Sequence, residues 1–186
     1  MQMDGCEYVV MEVSSQALSQ NRVYGIDFSA SAITNITPEH LDYHECMENY
    51  TEAKLQLFKS SEFACVNIDD STIEKNLDRI SCKKITYSAL SDKADYTAKN
   101  IICNEKGIQY EFVGLDCISR IKSDLFGRFT VYNTLCAISI LLNLGFDMEK
   151  ISQAVSTLTP IKGRAEIVKI PRNYTVMICL LSAMIH

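Results

Sequence analysis

The chain predicts an α/β fold, with a mostly parallel sheet flanked by helices and a small antiparallel sheet added, and three observations carry that reading. Short apolar runs alternate with amphipathic ones, as in strands separated by covering helices. At 186 residues, 47% hydrophobic and 22% charged, the composition suits one sizeable core. From about Asp95 the runs shorten and crowd together, as in an antiparallel hairpin.

In order, Tyr8–Val13, Ala32–Ile36, Phe63–Ile68 and Lys84–Tyr87 read as buried strands. Helices are expected over Ser15–Asn21, Met47–Ser60 and Ser71–Arg79. Thr37-Pro38-Glu39 reads as a helix start, Thr37 capping and Pro38 in the first turn. Tyr96–Cys103, Ile108–Val113 and Cys117–Ile121 read as the strands of the antiparallel sheet, the first two joined by a turn at Asn104-Glu105-Lys106-Gly107. Two further helices follow, Val131–Leu144 closed by Gly145 and Met148–Leu158 stopped by Pro160, then a strand over Asn173–Leu181.

Several function classes are disfavoured. The net charge is −5 and the longest basic run is Lys83-Lys84, which argues against a nucleic-acid surface. No apolar run approaches the roughly 20 residues of a membrane span. The start, Met1-Gln2-Met3-Asp4-Gly5, lacks the basic and apolar regions of a secretion signal. None of Cys6, Cys46, Cys65, Cys82, Cys103, Cys117, Cys136 and Cys179 forms a Cys-x-x-Cys pair, so a reduced, cytoplasmic setting is expected. Both ends are abrupt, which predicts a fragment.

The residue of most chemical interest is Lys54. At about 100° per residue, Met47, Tyr50, Leu57 and Phe58 share one stripe and Lys54 falls inside it. A lysine desolvated this way releases its proton more easily, and the neutral amine can capture carbon dioxide as a carbamate. The plainer alternative is a snorkelling side chain, stem buried and ammonium in water. Just upstream, His40 and His44 are four apart, on one helical face if the segment is helical, with Asp42 between them. That trio suggests zinc, but a third histidine ligand exists only at His186; magnesium, which prefers oxygen, suits a carbamate and Glu12 better. Glu12 closes an apolar run, where α/β sheets hold ligands, or is simply in solvent. Ser14 and Ser15 can cap a helix, and Arg22 is a suitable fork for a carboxylate or phosphate. No Gly-x-x-x-x-Gly-Lys-Ser/Thr loop is present.

In order and spacing, Glu12-Val13-Ser14-Ser15-Gln16-Ala17-Leu18, Arg22-Val23, Thr34 to His44, Met47-Glu48-Asn49-Tyr50 and Ala53-Lys54 resemble the central, ATP-binding domain of the Mur ligases. Gly127-Arg128-Phe129, Asn133 and Gly163-Arg164-Ala165-Glu166 continue the resemblance, up to about Val176. The wording is most similar to members that add an amino acid, diaminopimelate or lysine, to UDP-N-acetylmuramoyl-dipeptide. The resemblance implies a P-loop-type central domain over residues 1–170, lacking its first strand and P-loop, and the start of a C-terminal ligase domain over 171–186. It implies ATP and Mg2+ as cofactors, an acyl-phosphate intermediate and a monomeric cytoplasmic enzyme in peptidoglycan synthesis, without nucleic-acid or membrane partners. It further implies that Lys54, as a carbamate, His40 and Glu12 hold magnesium, with Lys54 and His40 catalytic. Ser14, Gln20 and Arg22 would contact the UDP-muramoyl-dipeptide, and Asn133 and Arg164 the nucleotide. The fragment alone is expected to be inactive. Alternatives are a noncatalytic remnant and a folylpolyglutamate-type or other Mur ligase.

Overall fold

The computed structural model of the chain describes residues 5–161, 166–168 and 176–178. Six strands form one sheet in sequence order: β1 (Phe28–Ile33), β2 (Ser61–Asn67), β3 (Lys83–Ser88), β4 (Tyr96–Asn104), β5 (Gly107–Val113) and β6 (Ile118–Ser123). The first four are parallel neighbours and the last three antiparallel. The expected antiparallel strands are therefore not a separate sheet but a continuation of the main one.

β4 makes the junction. Only seven residues separate it from β3, too short for a crossover helix, so the two pair in parallel only at Tyr87–Tyr96 and Ser88–Thr97. Asp95 fixes that start: its carboxylate accepts from the Thr86 amide at 2.7 Å and the Thr86 hydroxyl at 2.8 Å. Beyond this point β4 turns to β5, with a bulge between Lys99 and Ile102 and a left-handed Asn100. At the hairpin, Gly107 has φ +116°, and a Cβ there would lie 2.1 Å from the Ser123 carbonyl oxygen.

The interior strand β2, next to the edge strand β1, is buried on both sides, and its alternation sorts the helices into two layers. Phe63 and Cys65 face a core with Ile85, Tyr87 and Phe112 under Val131, Leu135 and Ile138 of α5 (Arg128–Asn143) and Ile151 and Val155 of α6 (Met148–Ser156). Ala64 and Val66 face the other, with Tyr50 and Leu55 of α3 (Met47–Leu55), Phe58 of the following 3-10 turn, and Ile73 of α4 (Ser71–Lys75). Two short helices precede α3: α1 (Ser15–Ser19), ahead of β1, and α2 (Leu41–His44). A small antiparallel pair, Glu166–Val168 with Val176–Ile178, completes the described chain; the rest of the strand expected over Asn173–Leu181 lies outside the described residues.

Three local expectations fail. Tyr8–Val13 is not a strand: it pairs with nothing among the described residues, and Val10 is 97% exposed, although Tyr8 reaches the Phe146 ring at 5.4 Å. An apolar run reports a tendency to be buried, not a partner edge within reach. The strand expected at Ala32–Ile36 instead spans Phe28–Ile33. Thr37 does not cap a helix: α2 begins only at Leu41, behind His40 at φ 54°.

Candidate functional site

Four of the candidate residues sit at the short helices: Ser14 and Gln20 flank α1, His40 heads α2, and Lys54 lies on α3. Ser14 caps α1, its hydroxyl accepting from the Ala17 amide at 3.1 Å. Gln20 follows that helix, and its amide nitrogen donates to the Tyr43 hydroxyl of α2 at 3.3 Å. Arg22 is exposed just beyond. Beneath these residues runs a buried seam. His44 of α2 lies with Nε2 2.9 Å from the Ser15 hydroxyl of α1, and its ring centroid is 5.3 Å from that of Tyr50 on α3. The Lys54 ammonium stands 5.2 Å from the other end of this chain of contacts, over the Tyr50 ring.

Lys54 is half-buried, as the stripe predicts, although α3 ends at Leu55 and continues as a 3-10 turn. No carboxylate pairs with it among the described residues. The two histidines do not share a face. The left-handed backbone at His40 turns its ring to the surface, whereas His44 is only 6% exposed. Burial, reinforced by the charge of His40, holds the His44 pKa below its ordinary value; Asp42 opposes this. Among the described residues no three His, Cys, Asp or Glu side chains come together to hold a metal, so the zinc reading of His40, Asp42 and His44 fails. His44 is instead a structural link. Glu12 is exposed two residues ahead of the α1 cap, not at a strand end.

Asn133 is exposed near the start of α5, on the opposite layer from Lys54. Arg164 lies outside the described residues.

A second polar cluster, missed by the sequence reading, sits at the carboxyl ends of β2 and β3, where open α/β sheets hold ligands. Asp69 accepts from the Ser88 hydroxyl, from the Ala89 amide at 2.7 Å and from the Tyr132 hydroxyl of α5 at 3.1 Å. Asp70 caps α4, accepting from Thr72 and Ile73 amides at 2.9 Å, and also accepts from the Ile36 amide after β1 at 2.9 Å. Asn67 donates to the Thr34 carbonyl at 3.1 Å. The signal was Asn67-Ile68-Asp69-Asp70 directly after an apolar strand. Burial and the negative charge of Asp69 push the Tyr132 hydroxyl above its ordinary pKa. No helix among the described residues is long and apolar enough to cross a membrane.

Comparisons with known proteins agree with this fold. The chain is 39% identical over 165 residues to UDP-N-acetylmuramoyl-L-alanyl-D-glutamate–2,6-diaminopimelate ligase 1 of Clostridium acetobutylicum, covering 89% of this chain and 34% of that protein. A ligase of the same name from Geobacillus thermodenitrificans is 35% identical, over 94% of this chain and 37% of its own length. The chain thus spans about a third of the length of these relatives. Among solved structures, a UDP-N-acetylmuramoyl-L-alanyl-D-glutamate–2,6-diaminopimelate ligase superposes with TM-score 0.81 at 28% identity, over 90% of this chain and 36% of that one. MurF ligase from Thermotoga maritima in complex with ADP shares the fold, with TM-score 0.66 at 17% identity, over 84% of this chain and 36% of that one. The family description "Mur ligase middle domain" matches residues 1–141, and the chain accordingly belongs to the Mur ligase family.

Proposed function

We propose that the chain is the middle domain of an ATP-dependent, ADP-forming ligase of peptidoglycan-precursor synthesis. The whole enzyme joins an amino acid to UDP-N-acetylmuramoyl-dipeptide: ATP phosphorylates the dipeptide carboxylate, and the incoming amine displaces phosphate to leave an amide. The names of the most similar relatives favour 2,6-diaminopimelate as that amino acid. In this reading the middle domain covers 1–170, residues 171–186 begin the next domain, and the enzyme works as a cytoplasmic monomer.

One observation carries the reading. Ser14, Gln20, His40 and Lys54 lie on or beside three short helices joined through Ser15, His44 and Tyr50, and the His40 ring and the Lys54 ammonium have no hydrogen-bond partner among the described residues. Ser14, Gln20 and Arg22 receive the UDP-muramoyl-dipeptide, Arg22 offering a planar fork to a carboxylate or phosphate. Asn133 and Arg164 receive the nucleotide. The neutral Lys54 amine adds to carbon dioxide and loses one proton to water, leaving an anionic oxygen donor. With Glu12 and His40 that donor would hold Mg2+, and a set rich in hard oxygens fits this ion. The fit is helped by a Lys54 ammonium that no described carboxylate has claimed. When bound, the ion neutralises charge on the transferring phosphoryl group.

The test is a chimera in which residues 5–161 replace the matching segment of the Clostridium acetobutylicum ligase. It should release phosphate only when the UDP-muramoyl-dipeptide, ATP and diaminopimelate are all present. Lys54→Ala should cut that rate by roughly 100-fold, the scale of losing one charge-stabilising group. A folded chimera with no turnover would favour a noncatalytic remnant. Full turnover by Lys54→Ala would remove the carbamate from the mechanism.

A further inference from the structure

Away from this site the core holds two thiols that the ligase reading does not use. Cys65, in the middle of β2, and Cys136, on α5, are 0% and 5% exposed, and their sulfurs lie 4.0 Å apart. The Cys65 thiol donates to the Cys136 carbonyl at 3.8 Å, and the Cys136 thiol points at the Cys65 sulfur. Beside them the Tyr87 hydroxyl, on β3, is fully buried and has no hydrogen-bond partner. An orphaned buried hydroxyl is costly, and a thiolate on the adjacent Cys136 would supply the acceptor it lacks. The contact between the two sulfurs also holds the Cys136 thiol below its ordinary pKa, against the opposing effect of burial. The Cys65 thiol is pushed up, first by that same contact and then by burial.

We infer that Cys65 and Cys136 form an oxidisable pair which a small peroxide converts to a disulfide, fastening α5 to β2. The Cys136 thiolate attacks one peroxide oxygen; an S–O bond forms, the O–O bond breaks, and the departing oxygen leaves as water. The Cys65 sulfur then attacks the Cys136 sulfenic acid; the S–S bond forms, the S–O bond breaks, and the second oxygen leaves as water. The two thiols are oxidised by two electrons, the peroxide is reduced, and the two thiol protons leave in the two waters. Closure to a bond of about 2.05 Å asks each sulfur to move by roughly 1 Å. The linked residues are 71 apart in sequence, so the cross-link closes a long loop and restricts the unfolded chain strongly. Cys6 and Cys103 are exposed and serve as internal references.

The purified 186-residue chain is treated with hydrogen peroxide under folding conditions, its free thiols are alkylated in denaturant, and the digest is read by mass spectrometry. A Cys65–Cys136 peptide lacking two hydrogens is expected, reversed by dithiothreitol and accompanied by a higher thermal midpoint. In Cys65→Ala both the cross-link and the upward shift should vanish. Recovery of Cys65 and Cys136 as alkylated thiols after Cys6 and Cys103 have been oxidised would overturn the inference. So would a cross-link that forms only in urea. A second variant, with serine at all six other cysteine positions, must lose both remaining thiols together; loss of one alone also overturns it.

Discussion

The strand-end cluster and the three-helix cluster are both polar, and they differ in how much of their hydrogen-bonding capacity is already used. Asp69 and Asp70 each accept three hydrogen bonds, tying β1, β3, α4 and α5 to the end of β2. In the helical cluster the Lys54 ammonium meets only the face of a ring, His40 makes no capping bond, and Gln20 makes one long bond at the surface. A polar group whose bonds are satisfied inside the protein holds the fold, whereas one with donors and acceptors to spare is available to a ligand. The difference is what the proposed roles require: spare donors and acceptors in the helical cluster for substrate and ion, and satisfied ones in the strand-end cluster for support.

The largest expected effect tests that division directly. Asp69→Ala leaves the Ser88 hydroxyl, the Ala89 amide and the Tyr132 hydroxyl without their acceptor, and should cost about 3 kcal/mol of unfolding free energy in a urea titration. Lys54→Ala should cost under about 1 kcal/mol, the scale of one exposed cation–π contact. Equal costs would erase the distinction between the two clusters.

The seam beneath the helical cluster gives a smaller, pH-dependent effect. Burial lowers the pKa of His44 in the folded chain from its ordinary 6.5. As pH falls below that value, the unfolded chain takes up a proton that the folded chain resists. The contribution of His44 is therefore complete above 6.5 and is lost as pH drops through the depressed folded value. Urea midpoints taken from about pH 8 down to about pH 5 should fall, and His44→Gln should remove that part of the slope. An unchanged slope in the variant would mean that the Ser15–His44–Tyr50 seam does not exclude the proton.

Some of this architecture was legible in the sequence. β2 and β3 came within two residues of their observed ends, because each is a short apolar run of the kind a parallel sheet buries. The helix expected over Val131–Leu144 is α5, which starts three residues earlier and ends one residue earlier, ahead of Gly145 at positive φ. The half-burial of Lys54 followed from helical spacing alone. What failed had no local signature. β1 is an edge strand in which serine and alanine alternate, Phe28-Ser29-Ala30-Ser31-Ala32-Ile33, so the β-branched Ile33, Thr34 and Ile36 drew the assignment forward. The continuity of β3 with β4 depends on a loop length and on Asp95 reaching Thr86. The acceptor role of Asp69 depends on Ser88 and Tyr132, which are 19 and 63 positions away. Such pairings arise only once the layers close.

Gln20 offers the finest test, because its structural and its proposed binding roles separate cleanly. It ends α1 through its backbone, whose amide donates to the Gln16 carbonyl at 2.9 Å, and an alanine would keep that bond. The side chain contributes only the exposed 3.3 Å contact to Tyr43, so Gln20→Ala should alter stability by no more than about 0.5 kcal/mol. In the chimeric ligase the same change removes a group proposed to contact the UDP-muramoyl-dipeptide. If that contact is equally strong in the ground and transition states, KM should rise by about tenfold with kcat little changed. A stability loss near that of Asp69→Ala would move Gln20 into the satisfied, structural class, and the contrast between the two clusters would no longer locate the ligand.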